Sequence, residues 1–113
     1  MALAGPSFEI RETVDTDGVV RVALIGELDI AVADAVDQRL RQHREDRRTV
    51  RLDLSGLDFI DSSGVQTLVL GIRHARKSGC ELEVDRHVSA SVRRMVEMMG
   101  IGPQLWPGGR PAT

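Results

Sequence analysis

The sequence is poor in several things that would narrow its function, and each shortage excludes a class. It has a single cysteine, Cys80, so no internal disulfide is available. It has no long apolar run: stretches such as Val22 to Ile25 fall far short of the ~20 residues that span a bilayer. The opening MALAGPS lacks a basic segment followed by an apolar one, so no secretory signal is read there. These absences together lead us to expect a cytoplasmic protein with no membrane partner. Positive charge is not in excess either. Fifteen Lys and Arg stand against 17 Asp and Glu, giving a net charge of −2 and a pI near 5.9. A non-specific nucleic-acid binder carries a basic surplus, so no direct nucleic-acid contact is expected. Lys77 is the only lysine among the basic residues, which we read as compositional bias towards arginine and not as chemistry.

Catalytic and cofactor patterns are also missing. There is no G-x-x-x-x-G-K and no G-x-G-x-x-G to cradle a phosphate. The carboxylates and histidines show no metal-ligand spacing, and a lone Cys80 cannot anchor zinc, so neither metal nor cofactor is expected. No G-x-S-x-G elbow occurs. A nucleophilic serine would also need a positioned histidine. His43 and His74 lie in charged helical stretches and His87 in a loop, and all three read as surface histidines. The chain is therefore not expected to be an enzyme.

What is present fits one folded domain. The chain has 113 residues, with 42% hydrophobic and 28% charged, an ordinary globular balance. Phe8, Ile10 and Val14 fall at even spacing and predict a half-buried strand. Asp15-Thr16-Asp17-Gly18 is a hairpin turn, because Asp-Gly supplies the positive φ such turns need. Val19 to Ile25 predicts a second, antiparallel strand that Gly26 ends. Val32, Val36 and Leu40 recur at helical spacing within a predicted helix over 31–45, with Asp29 as its N-cap. Val50, Leu52 and Leu54 alternate with Arg51 and Asp53 as a strand with one apolar face. A loop, 55–61, then leads to a helix over 62–77, whose stripe is Val65, Leu68, Val69, Ile72 and Ala75. Leu82 and Val84 predict a short strand. Val92, Met95, Val96 and Met99 predict a third helix closed by Gly100. Leu105-Trp106 reads as a last edge strand. Residues 1–7 and 107–113 are expected to be flexible tails around a domain at 8–106.

This order predicts an α/β domain with a mixed sheet of four to five strands, since strands joined through helices must run parallel. The clean alternation of the strand at 50–54 places the helices mainly on one face of the sheet.

The most informative stretch is Leu52-Asp53-Leu54-Ser55-Gly56-Leu57-Asp58-Phe59-Ile60-Asp61-Ser62-Ser63-Gly64. It sets two hydroxyls at the start of a helix. Ser62 can be read as the helix N-cap. It can also be read as a phosphoacceptor, because free N–H groups and a positive dipole end accommodate phosphate there, with Asp58 and Asp61 opposing it.

This stretch, together with Gly26-Glu27-Leu28-Asp29 and Met99-Gly100-Ile101, resembles the STAS domain of bacterial anti-sigma factor antagonists over roughly residues 8–106. The resemblance implies that Ser62 is phosphorylated by a partner that is both an anti-sigma factor and an ATP-dependent serine kinase. It implies that the unphosphorylated form binds this partner and frees the sigma factor. Phosphorylation would block the binding and a serine phosphatase would restore it. Asp29, Asp61, Ser62, Ser63 and Gly64 would then lie on the partner-binding surface of a monomer or weak dimer. Two features depart from the family pattern: Val32 stands where a threonine or serine is common, and the chain after Trp106 is short. A second implied role is an accessory STAS subunit of a membrane transporter or sensory scaffold. A nucleotide-hydrolysing role lacks any phosphate-cradling loop.

Overall fold

The computed structural model describes residues 8–106, and the tails expected at 1–7 and 107–113 lie outside the described residues. Strands β1 (Phe8–Val14) and β2 (Val20–Leu28) form an antiparallel hairpin in which Phe8 faces Gly26 and Val14 faces Val20. Its turn rests on Gly18 at φ 86° and on the Asp15 N–H donating to the Val19 carbonyl at 2.9 Å. Helix α1 (Ile30–Glu45) follows, then β3 (Val50–Asp53) and β4 (Leu57–Ile60). Helix α2 (Ser62–Lys77), strand β5 (Leu82–Val84), helix α3 (Ala90–Met99) and the short α4 (Gly102–Leu105) follow.

The sheet is mixed, with order β1-β2-β3-β5, and β4 pairs with β2 as well. Strands β3 and β4 take up successive lengths of the same edge of β2. Val20 to Ala23 pair with β3, and Gly26 to Leu28 pair with β4, all parallel. The stretch from 55 to 61, read from sequence as a loop, therefore contains a strand. What interrupts the track is a tight corner: Ser55 N–H and Oγ both donate to Asp53 Oδ1, and Leu57 N–H donates to the Leu54 carbonyl. Nor does Gly26 end β2. It sits at φ 100°, where the register against β4 shifts, and the strand continues to Leu28 because β4 offers a fresh partner. A positive φ of this kind suits glycine.

Alternation decides which face is covered. Val20, Val22, Leu24 and Leu28 of β2, with Leu52 of β3, are buried against Val36 and Leu40 of α1 and Val65, Leu68 and Ile72 of α2. The other face carries charge. Arg21 lies 3.2 Å from Asp85 and 3.7 Å from Asp53, and Arg51 lies 3.5 Å from Glu83.

Two further expectations are corrected. His43 is not a surface histidine but is 4% exposed, one helical step beyond Val36 and Leu40 on the inner stripe of α1. There its Nε2 meets Glu12 Oε2 at 3.0 Å, and Arg39 Nε donates to the same oxygen at 2.9 Å. Leu105-Trp106 is not an edge strand. Leu105 ends α4, and the buried Trp106 reaches the sheet through its side chain, the indole N–H donating to the Val84 carbonyl at 3.1 Å.

Candidate functional site

Strands β2 and β4 end together, since Leu28 pairs with Ile60. One residue on from each is an aspartate, Asp29 and Asp61, and the next residue opens a helix, Ile30 for α1 and Ser62 for α2. Two helix N-termini thus stand side by side at one end of the sheet, each with N–H groups that lack intrahelical acceptors.

The aspartates satisfy part of that demand. Asp29 caps its own helix, Oδ1 accepting from Ala31 N–H at 2.9 Å, as its place in the sequence suggests. Asp61 does more. Its Oδ1 accepts from Gly64 N–H at 2.9 Å, and its Oδ2 accepts from Ile30 N–H at 3.3 Å. One carboxylate therefore caps α2 and ties it to the start of α1. The N-cap of α2 is Asp61 and not Ser62, because Ser62 already has helical backbone and Asp61 is the extended residue before it.

This frees Ser62. Its side chain is exposed and makes no hydrogen bond to the described residues. Ser63, the next residue, is only half-exposed. Gly64 is buried, and the reason for glycine is steric. A Cβ there would lie 2.7 Å from Leu28 Cγ and 3.0 Å from the Leu28 carbonyl oxygen. Gly64 thus lets α2 start hard against the end of β2, which is what presents Ser62 outward. Of the residues singled out in the sequence, Ser62 and Ser63 offer surface. Asp29 keeps one oxygen uncommitted, while Asp61 and Gly64 build the platform.

Position on a hydrogen-bond ladder also re-aims Phe59. Gly26 pairs with Leu57 but Glu27 pairs with Phe59, so Asp58 is an extra residue in β4. Such a bulge turns the following side chain to the other face. Phe59 is 46% exposed, and Ile30, first residue of α1, is 74% exposed. Neither was singled out from sequence. Ile30 did leave a signal, an isoleucine directly after an N-cap where it cannot reach the core. The bulge that exposes Phe59 left none, because pairing register is set by the strand opposite.

Comparison with known proteins is decisive at this point. The family model described as Mlab, STAS domain matches residues 12–106. The chain belongs to the STAS domain family. Solved STAS structures share its fold. A crystal structure of an anti-sigma factor antagonist from Mycobacterium paratuberculosis superposes with a TM-score of 0.70 at 21% identity, covering 94% of this chain and 88% of that one. The anti-sigma factor antagonist SpoIIAA in its unphosphorylated form gives 0.71 at 22% identity, covering 85% and 84%. The Bacillus cell fate determinant SpoIIAA in its phosphorylated form gives 0.64 at 22% identity, covering 87% of each chain. Among the described residues of this STAS chain, no helix is long and apolar enough to cross a membrane.

Proposed function

We propose that this STAS domain is an anti-sigma factor antagonist whose partner binding is switched by phosphorylation of Ser62. The observation that carries the reading is the presentation of Ser62: an exposed hydroxyl, free of internal hydrogen bonds, on the first residue of a helix whose cap is supplied by Asp61. A phosphoacceptor must enter a kinase active site, and a hydroxyl engaged in capping would first have to be released. Ser63 is less exposed on the same turn, which favours Ser62 as the acceptor.

The partner is an anti-sigma factor with ATP-dependent serine kinase activity, and a serine phosphatase resets the switch. A phosphate on Ser62 adds about −1.5 to −2 charges at neutral pH. The helix start tolerates this charge, since the positive end of the helix dipole favours negative charge there. A docked protein surface does not tolerate it, because Asp29, Asp58 and Asp61 already make the neighbourhood acidic and added like charge opposes a complementary partner. The switch therefore acts on recognition and leaves the fold intact. The kinase incubated with this chain and ATP, followed by fragment mass spectrometry, tests the assignment. Phosphate on Ser62 is expected, and phosphate on Ser63 with Ser62 unmodified would overturn it.

A further inference from the structure

We propose that the free edge of β1 pairs antiparallel with the same edge of a second copy of this chain, Ile10 facing its own counterpart, so that two sheets join into one. Among the described residues the sheet has two outer strands, β1 and β5. Strand β5 is three residues long, and its Val84 carbonyl accepts from the Trp106 indole. Strand β1 runs seven residues, Phe8–Val14, with no proline and no shift of register against β2. Short length, proline and bulges keep many edges from pairing, and β1 has none of them. Its backbone groups are also aimed outward. The Asp15 N–H donates to the Val19 carbonyl at 2.9 Å, one step beyond the Val14–Val20 pair. Antiparallel ladders alternate, so Glu9, Arg11 and Thr13 direct their groups to β2, and Phe8, Ile10, Glu12 and Val14 turn theirs to the free edge. The Val20 N–H agrees: opposite Val14, it donates away from β1, to the Thr49 carbonyl at 2.9 Å.

Side chains select the occupant and the register. An edge that meets its own copy about a two-fold axis meets it antiparallel, and each contact occurs twice. With Ile10 at the axis, Phe8 stands opposite Glu12 and Glu9 opposite Arg11, on both sides. Glu9 and Arg11 are exposed, and within one chain they lie 3.0 Å apart. Across the axis they form two further unlike pairs, which favour the join. The neighbouring registers set Arg11 against Arg11 or Glu9 against Glu9, and like charges directly opposite each other disfavour both. On the covered face Phe8 and Ile10 are only partly buried, because the core ends at this edge. A second copy brings Ile10 against Ile10 and Phe8 diagonally beside it, extending their burial. Few residues meet in this way, so the dimer is weak. Strand β2 stands between β1 and β4, so the pairing leaves Ser62 open and does not rest on its reading.

The experiment is sedimentation velocity of the full chain over a concentration series, with Glu9→Arg, Arg11→Glu and an equimolar mixture of the two variants. Both side chains are exposed, and thermal melts confirm that each variant is folded. The wild-type chain is expected to pass from monomer to dimer as concentration rises. Each single variant sets like charges opposite each other twice and is expected to weaken dimerisation about tenfold or more. In the mixture one chain carries two basic residues at these positions and the other two acidic ones, and dimers of wild-type strength are expected to return. Repulsion within a strand is unchanged by mixing, so the recovery reports a contact between chains. A wild-type chain that stays monomeric throughout, dimers that neither variant weakens, or variants that lose dimers and do not regain them on mixing would overturn the proposal.

Discussion

At the paired helix starts, some residues build the platform and others are left exposed on it. Asp61 holds two N–H groups on two helices, so its loss should be felt by the fold. A capping side chain is worth about 0.5–2 kcal/mol, and Asp61→Ala is expected to destabilise by at least that much in chemical denaturation. Asp61→Asn should recover part of it, since one amide oxygen can still accept from Gly64 but the NH2 group cannot accept from Ile30. Gly64→Ala should cost about 1–3 kcal/mol, because the new methyl meets Leu28 Cγ at 2.7 Å and the fixed Leu28 carbonyl at 3.0 Å. Ser62→Ala, by contrast, removes no cap and no internal hydrogen bond. Its melting transition should match the wild type, with stability changed by no more than about 0.5 kcal/mol. A large loss in Ser62→Ala would mean that the hydroxyl supports the fold after all.

Among the elements, the packing of α1 on β1 carries a pH dependence. Glu12 lies on the inner face of β1 with Phe8 and Ile10, where Arg39 and His43 of α1 reach it. The Arg39 guanidinium is the main cause holding the Glu12 carboxyl below its usual range; partial burial opposes the shift and His43 adds to it. A carboxyl whose folded pKa is lowered stabilises the fold at pH values above its unfolded pKa, about 4.3 for glutamate. That contribution is lost as pH falls through the lower folded value. Denaturation midpoints should therefore fall on acidification below about pH 4.3, and Glu12→Gln should show a shallower decline. An equally steep decline in the variant would place the acid sensitivity elsewhere, with Asp85 the next candidate. Partial burial pushes Asp85 up, but the His87 N–H and Arg21 outweigh it and hold it low.

Element by element, legibility in the sequence followed period and local chemistry. The hairpin turn, the stripes of α2 and α3, the alternation of β3 and the Asp29 cap are all set by neighbours within a few residues, and each was readable. Strand β4 was not, because Leu57 to Ile60 is too short to show a period and becomes a strand only by pairing with the end of β2. The extension of β2 past Gly26 has the same cause. His43 was misplaced because its flanks are charged, while its partner Glu12 lies 31 positions away. At the site, the Asp61-Ser62-Ser63-Gly64 run was visible as a motif. The division of roles within it depended on which residue adopts the extended backbone, and that is a matter of geometry.

For the whole molecule, the sheet and its covering helices serve as a rigid stage. They hold two helix starts in register, and on the proposed reading a charge change at Ser62 would be felt by a partner and not by the core. A loss of about 2.8 kcal/mol at the docking face would weaken affinity roughly a hundredfold, enough to operate a switch. The direct measurement is calorimetry of the unphosphorylated chain and of the chain phosphorylated at Ser62, each titrated with the anti-sigma factor kinase, alongside thermal melts of both forms. Tight binding by the unphosphorylated form, roughly hundredfold weaker binding by the phosphorylated form and similar melting transitions are expected. Equal affinities for the two forms would contradict the switch, and a collapsed transition on phosphorylation would show that Ser62 acts through the fold instead.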